Sequence, residues 1–271
     1  NGAIRKMSVF SHPDFDHHQL LTFKEDEKTG LKAIIAVHDN TLGPALGGCR
    51  MYPYLNEEDA IKDVLRLSKG MTYKSALAGL PLGGGKSVII GDPKKIKTKE
   101  LLFSMGEFVN SLGGQYIAAE DSGTGVADIN TMAEKTKYVT GIKADSEYAG
   151  DPSPSTAYGV FRGIEAAVLH KLNRDLKGVK VAVQGIGNVG FYLAEHLMNA
   201  GAIVFASDIN KDNLDKAVTQ LGVTPVPINE IMSLDVDVLA PCAMGGAISC
   251  DSIKSIKAPI VAGAANNQLA T

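Results

Sequence analysis

Lys74 closes the tetrapeptide MTYK, and Lys86 closes a run of three glycines, Gly83 to Gly85, immediately ahead of the apolar stretch SVII. A lysine beside glycine-rich backbone can meet a small molecule at close range, because no side chain stands between them. Burial and a neighbouring ammonium would each lower its pKa, which is how a lysine comes to act as a base near neutrality. Asp121, within Ala119-Glu120-Asp121-Ser122-Gly123-Thr124, stands at the end of a predicted strand. Polar residues and glycine at the carboxyl end of a strand are where open α/β sheets bind ligands. By residue type alone, a solvated surface is the commoner place for a lysine, and Asp121 suits equally well the cap of a helix starting near Val126.

A second constellation is Gly185-Ile186-Gly187-Asn188-Val189-Gly190, a G-x-G-x-x-G pattern. The pattern alone is common; its context is not. It follows the apolar strand Val179 to Val183, opens a helix, and precedes a second strand that ends at Asp208, 21 positions beyond the second glycine. The first glycine permits a tight turn, the second lets backbone approach a pyrophosphate, and the third lets the helix pack on the strand. The helix N-terminus favours the anion. Asp208 would accept hydrogen bonds from ribose hydroxyls and repel a 2′-phosphate, which predicts NAD in preference to NADP. The plainer reading is a glycine-rich turn with an aspartate capping the next helix; the coincidence of strand, glycines and acid argues against it. A nucleoside-triphosphate loop is excluded at Gly84-Gly85-Lys86-Ser87, because position 80 is Leu and the lysine leads into a strand instead of a helix.

The elements that must position these residues alternate. Leu31 to His38 reads as a buried strand, followed by a polar, glycine-rich segment from Asp39 to Arg50. Asn56 can cap a helix whose first turn carries Glu57, Glu58 and Asp59, with Lys74 just after its end. Ser87 to Gly91 is a further strand, Leu101 to Leu112 an amphipathic helix, and Gln115 to Glu120 a strand. Gly141 to Pro154 is polar and bears glycine and proline, as a domain boundary does. A long helix is expected from about Ser155, with Pro154 in its first turn. Beyond Gly178, strands VKVAVQ, IVFAS, VDVLA and PIVAGA alternate with helices Asn188 to Ala200 and Lys211 to Leu221. The reading is α/β throughout: an N-terminal α/β substrate-binding and oligomerisation domain over 1–148, then a Rossmann-type doubly wound parallel-sheet domain over 149–271.

Composition agrees. The chain has 271 residues, 45% of them apolar, which is enough for two cores. A net charge of −3 lacks the basic excess that nucleic acid requires. The three cysteines, Cys49, Cys242 and Cys250, form neither a disulfide framework nor a metal-binding spacing, so a reducing cytoplasm and no metal are expected. No apolar run reaches the ~18 residues of a membrane span.

The chain resembles the glutamate/leucine/phenylalanine/valine dehydrogenase superfamily, and within it the leucine dehydrogenase branch. The resemblance runs from about Leu31 to Leu269 through the blocks HDNTLGPALGGCR, DVLRLSKGMTYKSALAGLPLGGGKSVIIGDP, YIAAEDSGT, YVTG, PSPSTAYGV, QGIGNVG, LAPCAMGG and AGAANNQL. It implies reversible oxidative deamination of an L-amino acid to a 2-oxo acid and ammonia, with NAD as hydride acceptor, in a homo-oligomer. It further implies that Lys74 holds the substrate carboxylate, that Lys86 and Asp121 are catalytic, and that Leu46, Gly47, Gly48, Met71, Ala119 and Asn267 line the substrate pocket. Thr156, Ala240 and Asn266 join Gly185, Gly187, Asn188, Val189, Gly190 and Asp208 as cofactor-binding positions. The pocket positions are apolar and offer no extra cation, which favours a branched aliphatic substrate over glutamate. A phenylalanine or tryptophan enzyme, or an NAD-binding module without turnover, are the alternatives; a folate dehydrogenase does not fit MTYK, GGGK and AANN.

Departures from the family pattern are Asp151 in place of a common Asn, Ser122 in place of a small apolar residue, and Ser155 in place of Val. The chain also stops at Thr271, before the family's last strand and the C-terminal helices that complete the side-chain pocket. The implied chemistry requires the Lys86 amine and the Asp121 carboxylate both to face the nicotinamide across a crevice between the domains.

Overall fold

A computed structural model describes residues 8–142, 151–243 and 245–270. Two compact units, Asn1–Asp151 and Pro152–Thr271, divide the chain. The division lies three residues beyond the expected 148/149 boundary, and residues 143–150 of the expected linker fall outside the described part.

The first unit holds strands β1 (Leu20–Asp26), β2 (Leu31–Asp39), β3 (Ala45–Tyr52), β4 (Gly83–Ile90) and β5 (Tyr116–Ala119) in the order β1-β2-β4-β3-β5. The β1–β2 and β2–β4 pairs are antiparallel, whereas β3 runs parallel to both β4 and β5. Helix α1 (Glu57–Leu77) covers one face. Asn56 caps it as expected, its side chain accepting the Asp59 N–H at 2.9 Å, and Ala60, Val64 and Leu65 pack against Ile34, Ala36 and Val88. A one-turn helix α2 (Pro93–Ile96) leads to α3 (Lys99–Ser111), which with α4 (Val126–Ala133) covers the opposite face through Leu101, Met105, Phe108, Ile129 and Met132.

The sequence reading and the structure differ at four places in this unit. The expected polar segment 39–50 contains strand β3, because Gly47 and Gly48 serve strand packing; a Cβ on Gly47 would lie 1.7 Å from the Gly85 carbonyl oxygen. β1 had no sequence expectation; its residues are mostly half-buried or exposed, so its apolar signal is weak. Lys74 lies inside α1, whose last residue is Leu77. β4 begins at Gly83, so Lys86 is a mid-strand residue.

The second unit is a parallel sheet of β6 (Lys180–Gln184), β7 (Ile203–Ser207), β8 (Thr224–Pro225), β9 (Val238–Pro241) and β10 (Ile260–Val261), ordered β10-β9-β6-β7-β8. Helices α5 (Ser153–Leu172), α6 (Asn188–Asn199) and α7 (Lys211–Leu221) bury Ile164, Val168, Leu193, Leu197 and Ala217 against Val181, Val183 and Val204. Ala182 and Leu239 point to a second cluster with Ile231 and Val236, the alternation expected of strands covered on both faces. Among the described residues no helix is long and apolar enough to cross a membrane.

Candidate active site

Successive side chains alternate across a sheet. In β3 and β4 this puts Gly48 and Arg50, and Gly84, Lys86 and Val88, on the face covered by α1. Lys86 is only 2% exposed, and its Nζ pairs with Oδ2 of Asp121, which sits just past the end of β5. The structure therefore brings together the lysine and the aspartate singled out in the sequence. Gly48 makes the meeting possible: a Cβ there would fall 2.7 Å from the Asp121 carboxylate.

The turn carrying Asp121 is tied down locally. Thr124 Oγ1 accepts the Asp121 N–H at 3.2 Å and donates to the Cys49 carbonyl at 2.5 Å, while the Met51 N–H donates to the Ser122 carbonyl at 2.9 Å. Lys97 Nζ donates to the Gly123 carbonyl at 3.1 Å and to Asp128 at 2.7 Å. Asp121 does not cap α4; Asp128 accepts the Gly125 N–H at the start of that helix.

Sequence reasoning missed a third charged partner. Arg50, 6% exposed, donates from Nε to Asp121 Oδ1 at 3.2 Å and from Nη1 to Asp63 Oδ2 at 2.9 Å. The Tyr54 hydroxyl donates to the same Asp63 oxygen at 2.6 Å. The signal was available, since an arginine on the apolar-covered face of a strand must find buried anions, but it required reading 45–52 as a strand.

These contacts set the charges. Burial pushes the Asp121 carboxyl up, yet the Lys86 and Arg50 cations outweigh it and hold the group at about 2. Burial pushes the Lys86 amine down, against the pull of Asp121, and Arg50 lowers it further. The result is an ionised Asp121 beside a lysine that releases its proton more readily than a solvated one. The neighbouring cation that lowers Lys86 is the Arg50 guanidinium, where an ammonium was expected. The three glycines before it are not an open cradle either: a Cβ on Gly84 would meet the Thr72 N at 2.1 Å, and one on Gly85 the Tyr116 ring at 2.7 Å. Their role is to let α1 and Tyr116 close on β4.

Among the other substrate-side positions, Gly47 is buried and Leu46, Met71 and Ala119 are half-buried. Lys74 is exposed on the last turn of α1 and forms no ion pair among the described residues. Asn267, half-buried with φ 51°, belongs to the second unit.

In that unit the glycine turn joins β6 to α6. Gly185 has φ 92°, a conformation that suits glycine. A Cβ on Gly190 would strike the Gly185 carbonyl oxygen at 2.1 Å, so the third glycine lets α6 close on the turn. Gly187 is the N-cap of α6, and among the described residues nothing stands within 4 Å of where its Cβ would be. Asn188, exposed, and Val189, half-buried, begin the helix. Asp208 follows β7; its carboxylate accepts the Ile186 N–H and the Asn210 N–H, each at 2.7 Å. Asn210, not Asp208, caps α7. The carboxylate keeps further lone pairs for ribose hydroxyls. Gln184 Oε1, just before the turn, is buried with no hydrogen-bond partner among the described residues. An open helix N-terminus, an acid beside it and an orphaned acceptor fit a dinucleotide. Thr156, half-buried, lies in the first turn of α5, and Asn266 is exposed. Ala240 is fully buried at the C-terminal part of β9.

Residues 17–138 match the family model of the Glu/Leu/Phe/Val dehydrogenase dimerisation domain, and residues 150–211 match that of Glutamate/Leucine/Phenylalanine/Valine dehydrogenase. The chain is 51% identical to the leucine dehydrogenase of Bacillus subtilis (strain 168) over 264 residues, covering 97% of this chain and 72% of that one. It is 47% identical to the valine dehydrogenase of Streptomyces virginiae over 274 residues, covering 100% and 76%. The crystal structure of L-tryptophan dehydrogenase from Nostoc punctiforme superposes with TM-score 0.69 at 46% identity, over 94% of this chain and 72% of the other. The buried lysine–aspartate pair and the open glycine turn are thus carried by a chain that belongs to the Glu/Leu/Phe/Val dehydrogenase family of amino-acid dehydrogenases.

Proposed function

We propose that the protein oxidatively deaminates a branched aliphatic L-amino acid, leucine-like in side chain, to the 2-oxo acid and ammonia, reversibly and with NAD. The observation that carries the reading is the Lys86 amine, buried and pressed against an ionised Asp121. Bound NAD would supply the hydride acceptor for the substrate Cα. The chain's own residues do the rest. Lys86, as the free amine, takes a proton at Nζ from the water that attacks the oxidised substrate carbon. Asp121 passes protons at Oδ2 to and from the departing amine. Lys74 stays cationic and pairs with the substrate carboxylate. Leu46, Met71 and Ala119 supply apolar surface to the side chain, and in the second unit Thr156 and Asn267 would meet the nicotinamide.

Gly185, Gly187, Asn188, Val189 and Gly190 would hold the pyrophosphate, and Asp208 the ribose, its charge disfavouring NADP. A homo-oligomer formed through the first unit and a cytoplasmic location complete the proposal; the matched dimerisation-domain model supports the former. The similarity to the tryptophan enzyme of Nostoc punctiforme supports an aromatic substrate as the second reading. NADH formation measured with leucine, valine, phenylalanine, tryptophan and glutamate separates them. Highest kcat/KM with leucine or valine is expected. Aromatic preference selects the second reading, and no turnover with any of them would reduce the chain to an NAD-binding module.

A further inference from the structure

The Lys86–Asp121 pair is one end of a longer buried array. Arg50 on β3 bridges Asp121 and Asp63, and Asp63, on α1, is held in turn by the Tyr54 hydroxyl. The side chains of Arg50, Lys86 and Asp121 are 7%, 3% and 11% exposed, so water does little to screen them. On the far side of β3 the nearby Cys49 thiol, at about 12, and the Tyr116 hydroxyl, raised likewise by burial, remain neutral. Glu120, the neighbour of Asp121, is pushed up by burial and by Asp151. Arg50 is therefore the one cation besides Lys86 in hydrogen-bond contact with Asp121 among the described residues.

A base must spend part of each cycle uncharged. When Lys86 is neutral, Asp121 loses its nearest cation, and a buried carboxylate without one takes up a proton. An arginine stays charged throughout, and its planar fork holds two carboxylates in fixed directions. We propose that Arg50 is a positioning residue for the reaction: its guanidinium pins Oδ1 of Asp121, turns Oδ2 toward Lys86, and is the fixed positive charge that the aspartate keeps when Lys86 is neutral. Asp63 moderates that charge by sharing the guanidinium. The inference rests on the reading of Lys86 as the base.

Its test is the pH profile of kcat/KM for amino-acid oxidation, with NADH binding followed by fluorescence as the control. Rate at low pH is limited by protonated Lys86. Removing a cation beside Lys86 makes its proton harder to lose, and removing an anion makes it easier. Arg50→Met should therefore lower kcat at neutral pH by on the order of ten- to a hundredfold and move the acidic limb alkaline by about one pH unit, with NADH affinity unchanged. Arg50→Lys, which keeps the charge but not the fork, should return the limb toward its native position and restore only part of the rate. Asp63→Asn should move the same limb in the opposite, acidic direction.

A native limb position in Arg50→Met, or a shift of Asp63→Asn in the same direction as Arg50→Met, overturns the role of Arg50. Where Arg50→Met fails to fold, Asp63→Asn decides, and an unmoved limb there overturns it equally. Lys86→Ala distinguishes the two levels: if that variant keeps more than a tenth of native activity, the underlying assignment of the base fails, whatever Arg50 does.

Discussion

The Lys86 cluster and the Gly185 turn approach their ligands by opposite means. In the first unit, charged side chains are buried against one another, and each controls the ionisation of the next: Lys86 and Arg50 on Asp121, Arg50 and burial on Lys86. In the second, the working groups are backbone. The N-terminus of α6 starts at Gly187, and Asp208 braces the turn through the Ile186 N–H while also accepting the Asn210 N–H beyond β7. Desolvation makes a side chain reactive because the charged state loses its hydration. Helix N–H groups need no such cost, since they are left without partners by the helix itself. In the proposed function, chemistry therefore belongs to the dry region and recognition of the anion to the open one.

Five substitutions, the last of them read in an acid titration, can break that contrast. The largest effect is expected from Lys86→Ala, which should lower kcat by on the order of 10² to 10⁴ while NADH binding, titrated by fluorescence, stays native. Loss of both together would mean that the two regions are not separable. Gly190→Ala should come next. Its Cβ would lie 2.1 Å from a backbone oxygen, and overpacking of this kind costs about 1 to 3 kcal/mol, visible as a lower thermal midpoint together with weakened NAD binding. Gly187→Ala sharpens the point: with nothing within 4 Å of its Cβ, it should melt like the native protein and yet bind NAD less well. An unstable Gly187→Ala would show that the second glycine is structural.

Asp208→Ser should relax the preference for NAD over NADP by roughly tenfold, or about 1.4 kcal/mol, in the ratio of kcat/KM values; an unchanged ratio would remove Asp208 from cofactor choice. The smallest effect is on stability in acid. Asp121 is held at about 2 in the fold, below the ~3.9 of an unfolded aspartate. Its contribution is present above about pH 4 and is lost as pH falls toward 2. Denaturant midpoints measured across that interval should fall for the native chain and fall less for Asp121→Asn.

Much of this was legible in the residues. The strand, glycine turn, helix and following acid of 179–208 are contiguous in sequence, so their geometry is local and each glycine's job follows from its place in the motif. Even there the division of labour is clearer in three dimensions, where Gly190 closes the helix on the turn and Gly187 leaves space. Lys86 and Asp121 were recognisable as candidates, but their contact was not, since it spans 35 positions and three strands. Arg50 was missed because two glycines in LGGCR suppress the strand signal, and the glycines are there to admit Asp121 and the Gly85 backbone.

What the sequence by itself determined is whatever depends on short-range order: the α/β alternation, the Asn56 cap, the dinucleotide turn and the identity of the ionisable groups. Only the tertiary structure decided which of those groups are deprived of water together. A proton equilibrium is set by burial and by the sign of the nearest charges, and strands that are neighbours in the sheet are distant in the chain; that is why Arg50, Asp63, Lys86 and Asp121 form one electrostatic unit that no stretch of sequence displays.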